Sequence, residues 1–202
     1  MPTLHLAFLG PPLVTAGVPD AGAEPLTFAT RKSLALLIYL VAESGASGSV
    51  AAGARAAPEP MHRREKLAAL LWPESDSSRS RANLRSALNY LRAALPETPD
   101  GATPHLHIER DRLGFNPTAP HTLDLALVQQ ALASRDPDEM AAAAAHGRGS
   151  FAAGFSPGDA PPFDAWIAAQ RALWEQRVDL LFDRLSQAQF EQGQVAEAQA
   201  TL

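Results

Sequence analysis

The sequence predicts an α+β first half and an all-helical second half. Three observations carry this. Short β-like stretches separated by Gly and Pro fill the chain up to residue 30, three helical patterns and a hairpin follow before residue 116, and only helical periodicity remains after Pro120. A chain of 202 residues has room for two small domains, and with 46% hydrophobic and 19% charged residues it is too apolar for a disordered chain and too interrupted for a membrane protein. Its longest apolar run, Leu34 to Ala42, is less than half of the roughly 20 residues a spanning helix needs. No secretory pattern opens the chain and it has no cysteine, so the expected setting is the cytoplasm, without disulfides or thiolate sites.

Leu4 to Leu9 alternates weakly, Pro11 and Pro12 break it, and Leu13 to Val18 with Leu26 to Phe28 complete a small antiparallel sheet. Thr30 is placed to cap a helix from Arg31 to about Glu43, with Leu34, Leu37, Ile38 and Val41 at helical spacing. Residues 44–60, rich in Gly, Ala, Ser and Pro, read as a flexible insertion loop. A second helix runs from about His62 to Leu71 and stops at Trp72, because Pro73 disfavours helical geometry in the residue before it. Ser75, Asp76, Ser77 and Ser78 offer cap oxygens for a third helix to about Leu95, which Pro96 and Pro99 end. His105 to Ile108 and Leu113 to Phe115 flank the polar tip Glu109 to Arg112 and read as a hairpin. Helices are then expected from Leu123 to Ala133, Pro137 to His146, Pro162 to about Gln192, and from Val195. The domain boundary is expected near Asn116 to Pro120, and the last pattern stops at Leu202 without a cap, so the second domain is read as truncated.

A net charge of −5 argues against a nucleic-acid binder until its distribution is read. Up to Pro120 there are 12 Lys and Arg against 11 Asp and Glu; from His121 onward there are 5 against 11. Between His62 and Leu95 the balance reverses to 7 basic against 3 acidic residues. Within the third helix Leu84, Leu88, Leu91 and Leu95 make an apolar stripe about 60° wide, which faces the core. Ser78, Arg81, Arg85, Asn89 and Arg92 fall within about 80° of one another on a different side, and Asn83, Ser86 and Tyr90 extend the polar surface. No acid occurs from Arg79 to Leu95. Arg pairs with guanine edges, Asn with adenine, and Ser or Tyr with phosphate, on an element that fits the major groove of duplex DNA. An ordinary solvated helix usually interleaves Glu with Lys, so this face favours DNA. Arg110 and Arg112 at the hairpin tip are further candidate contacts, diluted by Glu109 and Asp111.

The run RKSLALLIYLVAE, then REKLAALLWPESDSSRSRANLRSALNYLRAAL, then a hairpin and NPTAPHTLDLALV, resembles the OmpR-type winged helix of the Streptomyces antibiotic regulatory protein (SARP) family. The following GRGSFAAGFSPGDAPPFDAWIAAQRALWEQRVDLLFDRL resembles the bacterial transcriptional activator domain (BTAD) that accompanies it. The resemblance implies a winged helix-turn-helix DNA-binding domain over residues 1–118 and an all-α tetratricopeptide-like domain over residues 119–202. It implies a recognition helix at Ser77 to Leu95 with Arg81, Asn83, Arg85, Asn89 and Arg92 as contacts, and a wing at His105 to Phe115. Binding to direct repeats of double-stranded DNA, contact with RNA polymerase, a homodimer and a role as activator are what membership would bring. Two departures stand out: the insertion at 44–60 is longer than is usual in the family, and the chain ends before the further repeats or ATPase domain that many relatives carry. Ala188, Phe190, Gly193, Ala196 and Ala198 are spaced like the turn between two helices of a tetratricopeptide unit. Phe163, Trp166, Leu173 and Trp174 are read as core.

Other motifs lead nowhere. Gly147, Gly149 and Gly154 have the wrong last spacing and context for a dinucleotide loop, and His105 and His107 have no third ligand nearby for a metal. No nucleophile elbow, phosphate loop or zinc-protease motif occurs, so neither catalysis nor a cofactor is expected. The alternative reading is an interaction or sensory scaffold whose winged helix does not bind DNA and whose Arg face docks an acidic protein.

Overall fold

The computed structural model describes residues 3–17, 23–44, 61–98, 101, 103–134 and 136–201. Apart from Ser44, the insertion expected at 44–60 lies outside the described residues, as do Val18 and Pro99. The chain opens with strands β1 (Thr3–Ala7), β2 (Leu13–Gly17) and β3 (Glu24–Pro25), followed by helix α1 (Arg31–Ala42). Strand β4 (His62–Arg63) leads directly into α2 (Arg64–Leu71) and then α3 (Ser77–Ala94). The hairpin β5 (Leu106–Ile108) and β6 (Arg112–Phe115) precedes β7 (His121–Leu123), and four helices complete the order: α4 (Asp124–Ala133), α5 (Pro137–Ala144), α6 (Pro161–Glu191) and α7 (Val195–Thr201).

The element starts follow from local chemistry. Thr30 accepts from Ser33 N–H while Ser33 Oγ reaches back to the Thr30 N–H, a reciprocal cap that launches α1 where the sequence places it. Trp72 leaves helical geometry at φ −137°, as the following proline requires, and so ends α2. The helix expected from His62 begins two residues later instead. His62 and Arg63 are extended because they pair with Leu113 and Arg112 of β6, a long-range partnership that helical periodicity does not register.

The N-terminal sheet has the order β3-β2-β1-β7, with β1 antiparallel to β2 and parallel to β7. The expectation of a purely antiparallel sheet is therefore corrected: its fourth strand comes from beyond Pro120, where three residues, HTL, are too few to show alternation. Immediately after it, the buried Asp124 accepts from Phe8 N–H and Leu9 N–H at 2.6 Å each and from Leu125 N–H at 2.8 Å. Arg148 donates to Ala7 O and Pro11 O, and Leu9 bridges Phe151. Gly10, at φ +131°, lies so close to Arg148 that an added Cβ would sit 2.8 Å from the Arg148 Cβ. The glycine-containing segment 147–154 thus fastens the helical part to the first strand.

One buried cluster runs from Leu4 and Leu6 through α1 and the α2 and α3 leucines to Phe151, Phe163, Trp174 and Leu181. Tyr39 of α1 packs its ring 4.8 Å from that of Trp166 on α6, whose Nε1–H donates to Glu43 at 2.8 Å. Phe163 and Trp174 are core as expected and Trp166 is half-buried, but Leu173 is 38% exposed. The correction has a geometric cause, since α6 spans 31 residues and buries only one side.

Candidate nucleic-acid interface

The rotation of α3 is fixed from its N-terminus inward. Asp76 accepts from Ser78 N–H and Arg79 N–H at 2.9 Å each, and these bonds hold its carboxyl below the usual carboxylate range. Ser80, Leu84, Ala87, Leu88 and Leu91 are buried, with α3 packed against α1 and α2. The opposite side is left to solvent. Ser78, Arg81, Arg85, Ser86, Asn89, Tyr90 and Arg92 are exposed there, and Asn83 is half-buried. Among the described residues Arg81, Arg85 and Arg92 have neither an ion pair nor a hydrogen-bond partner.

The face has two flanks. On one, Asn83, Ser86 and Tyr90 share a groove of about 250 Å³ with Thr30, Lys32 and Trp72. Lys32 donates to Leu71 O at 2.7 Å and lies 5.4 Å from the Trp72 ring centre, which ties the α2–α3 turn to the start of α1. Desolvation there pulls the Lys32 ammonium below its ordinary pKa, against the attraction of Asp159. On the other flank Arg92 borders an open groove of about 550 Å³ between the end of α3 and β5, lined also by Leu95, Leu106 and Ile108.

Arg110 and Arg112 are both exposed at the hairpin tip. The tip is braced from α2: Arg64 N–H donates to Asp111 O at 2.9 Å and its guanidinium to Glu109 O at 3.0 Å, while Glu109 N–H donates to Arg112 O. Sequence reasoning missed this brace, as it missed Thr30 and Lys32 beside the helix face. The adjacent Arg31 and Lys32 were the available signal for the latter; for Arg64 there was none, because its partners are backbone carbonyls 45 residues or more away.

Two buried histidines belong to the hairpin's surroundings, His62 paired with Leu113 of β6 and His105 just before β5. His62 packs its ring 5.1 Å from that of Tyr39, and burial first, then Lys66, lowers its pKa against an opposing pull from Glu43. His105, just before β5, is buried with neither ring nitrogen hydrogen-bonded, and desolvation with the nearby His121 lowers its pKa as well. Among the described residues no cluster of three His, Cys, Asp or Glu side chains is placed to hold a metal ion, and no helix is long and apolar enough to cross a membrane.

No family model and no curated protein matches the sequence. Solved structures do. The chain shares the fold of EmbR. That protein, from Mycobacterium tuberculosis and determined in complex with a low affinity phosphopeptide, aligns with a TM-score of 0.65 at 21% identity, over 99% of this chain and 49% of its own. The chain therefore spans about half the length of EmbR, and the likeness in fold extends over nearly the whole of this chain.

Proposed function

We propose that the chain is a sequence-specific DNA-binding transcriptional regulator of the SARP type. In this reading β1 to β6 with α1 to α3 are a winged helix-turn-helix domain and the remaining helices are an interaction domain. The observation that carries the reading is the exposed, acid-free face of α3, whose three arginines have no partner among the described residues. Helix α3 enters the major groove with Arg81, Arg85, Asn89 and Arg92 toward base edges, while Ser78, Asn83, Ser86 and Tyr90 reach the flanking phosphates. The hairpin lies along the adjacent backbone through Arg110 and Arg112. The fold shared with EmbR supports a regulator of this family. Direct repeats are the expected DNA target and RNA polymerase the expected protein partner of the helical part.

Arginine-directed chemical modification, with and without excess mixed-sequence duplex and read peptide by peptide, tests where DNA sits. Arg81, Arg85, Arg92, Arg110 and Arg112 should be shielded by duplex while Arg171 and Arg177 of α6 react as before. Equal reaction of the α3 arginines with and without duplex overturns the assignment.

A further inference from the structure

Helix α6 carries a second unpartnered face, of opposite charge. At about 100° per residue Glu175, Asp179 and Asp183 fall within roughly 80° of one another. All three are exposed, and among the described residues none has an ion pair or hydrogen bond. Like charges four residues apart repel, so the helix gains nothing from this row on its own account. Apolar side chains border its end at Asp183: Leu180 is 43% and Phe190 64% exposed, and Phe190 shares a groove with Asp183 and with Val195 of α7. Among the described residues the other large exposed apolar side chains are Leu13, Leu173, Tyr90 and Ile108, the last two beside the basic face. The protein thus presents one acidic and apolar row and one basic and apolar row. The acidic row is about 12 Å long from Glu175 to Asp183, and the basic row about 16 Å from Arg81 to Arg92.

We propose that the occupant of the α6 face is a second copy of this chain, docked through its α3 face, so that self-association covers the surface that would otherwise meet DNA. Charge complementarity selects this partner. Among the described residues neither row forms an ion pair within its own chain, and each supplies what the other lacks, with Leu180 and Phe190 against Tyr90 and Ile108. The pairing is reciprocal, with each α3 on the other's α6, an isologous two-fold arrangement that closes without open ends. DNA and the second copy then compete for the same arginines, and the apparent DNA affinity falls with the fraction of chains left unmasked. The consequence for DNA rests on the function proposed above; the pairing does not.

Sedimentation velocity without DNA, at about 50 mM and about 500 mM salt, tests the pairing directly. The intact chain should form a reversible dimer at low salt and dissociate at high salt. A variant with Glu175→Lys, Asp179→Lys and Asp183→Lys should be monomeric at both, as should one with Arg81→Glu, Arg85→Glu and Arg92→Glu. An equimolar mixture of the two variants should regain the low-salt dimer, which also shows that both are folded. A monomer at low salt, a dimer that survives either reversal, or a mixture that stays monomeric overturns the proposal. Loss of DNA binding with the dimer intact would remove only the functional reading.

Discussion

At the scale of single residues, the clearest expectation concerns Arg85, near the centre of the exposed α3 face. If it pairs with a guanine, Arg85→Ala should weaken binding by about 1–3 kcal/mol and relax preference at one base position, measured by titration against single-base duplex variants. The buried histidines carry a second. His62 and His105 have folded-state pKa values below the ordinary imidazole value of about 6.5. The unfolded chain therefore binds more protons, so the stability these residues allow is present above that value and lost as pH falls through it. Thermal unfolding followed from pH 7.5 to pH 5 should show that loss, and a His62→Phe, His105→Phe variant should show less of it. Asp124, pushed up chiefly by desolvation, acts in the opposite sense but equally in both proteins, so the difference between them isolates the imidazoles. Equal pH dependence would contradict the account. The histidines were legible only as residue types; the burial of His62 depends on Tyr39 and on β6, neither of which is near it in sequence.

At the scale of elements, Asp124 and Gly10 hold the first strand against the helical part. Asp124→Ala would strand three buried N–H donors, from Phe8, Leu9 and Leu125, and should cost about 3 kcal/mol in denaturant titration. Gly10→Ala should cost about 1–3 kcal/mol, since its φ of +131° is strained for any side chain and the new methyl would press on Arg148. Changes within error at both positions would mean that the clasp contributes little. Helices were the most readable elements because each declares itself locally: Thr30 and Asp76 as caps, Pro73 and Pro96 as stops, leucines at helical spacing. Strands β4 and β7 were not readable, being two and three residues long and defined by partners about 50 and 115 residues away. The candidate face was legible for the same reason the helices were, since a run without acids from Arg79 to Leu95 is visible before any folding. What braces and flanks it, Arg64, Thr30 and Lys32, came only with the tertiary arrangement.

At the scale of the molecule, the sheet crosses the boundary the sequence suggested near Asn116 to Pro120, and one buried cluster contains residues from both sides of it. Unfolding followed by tryptophan fluorescence and by far-ultraviolet circular dichroism should therefore give coincident single transitions. Two separated transitions would mean that the halves are stable independently. The uneven charge belongs to this scale as well: in a chain of net charge −5 the part up to Pro120 is nearly balanced, with 12 Lys and Arg against 11 Asp and Glu, and the excess acid lies after it, with 5 against 11. Selection from a random duplex library at physiological salt decides whether the α3 face reads DNA sequence as proposed. The intact chain is compared with a variant carrying Arg81→Ala, Arg85→Ala and Arg92→Ala. The intact chain should enrich a motif and the variant none; weak binding without enrichment, equal in both, overturns the proposed role of α3.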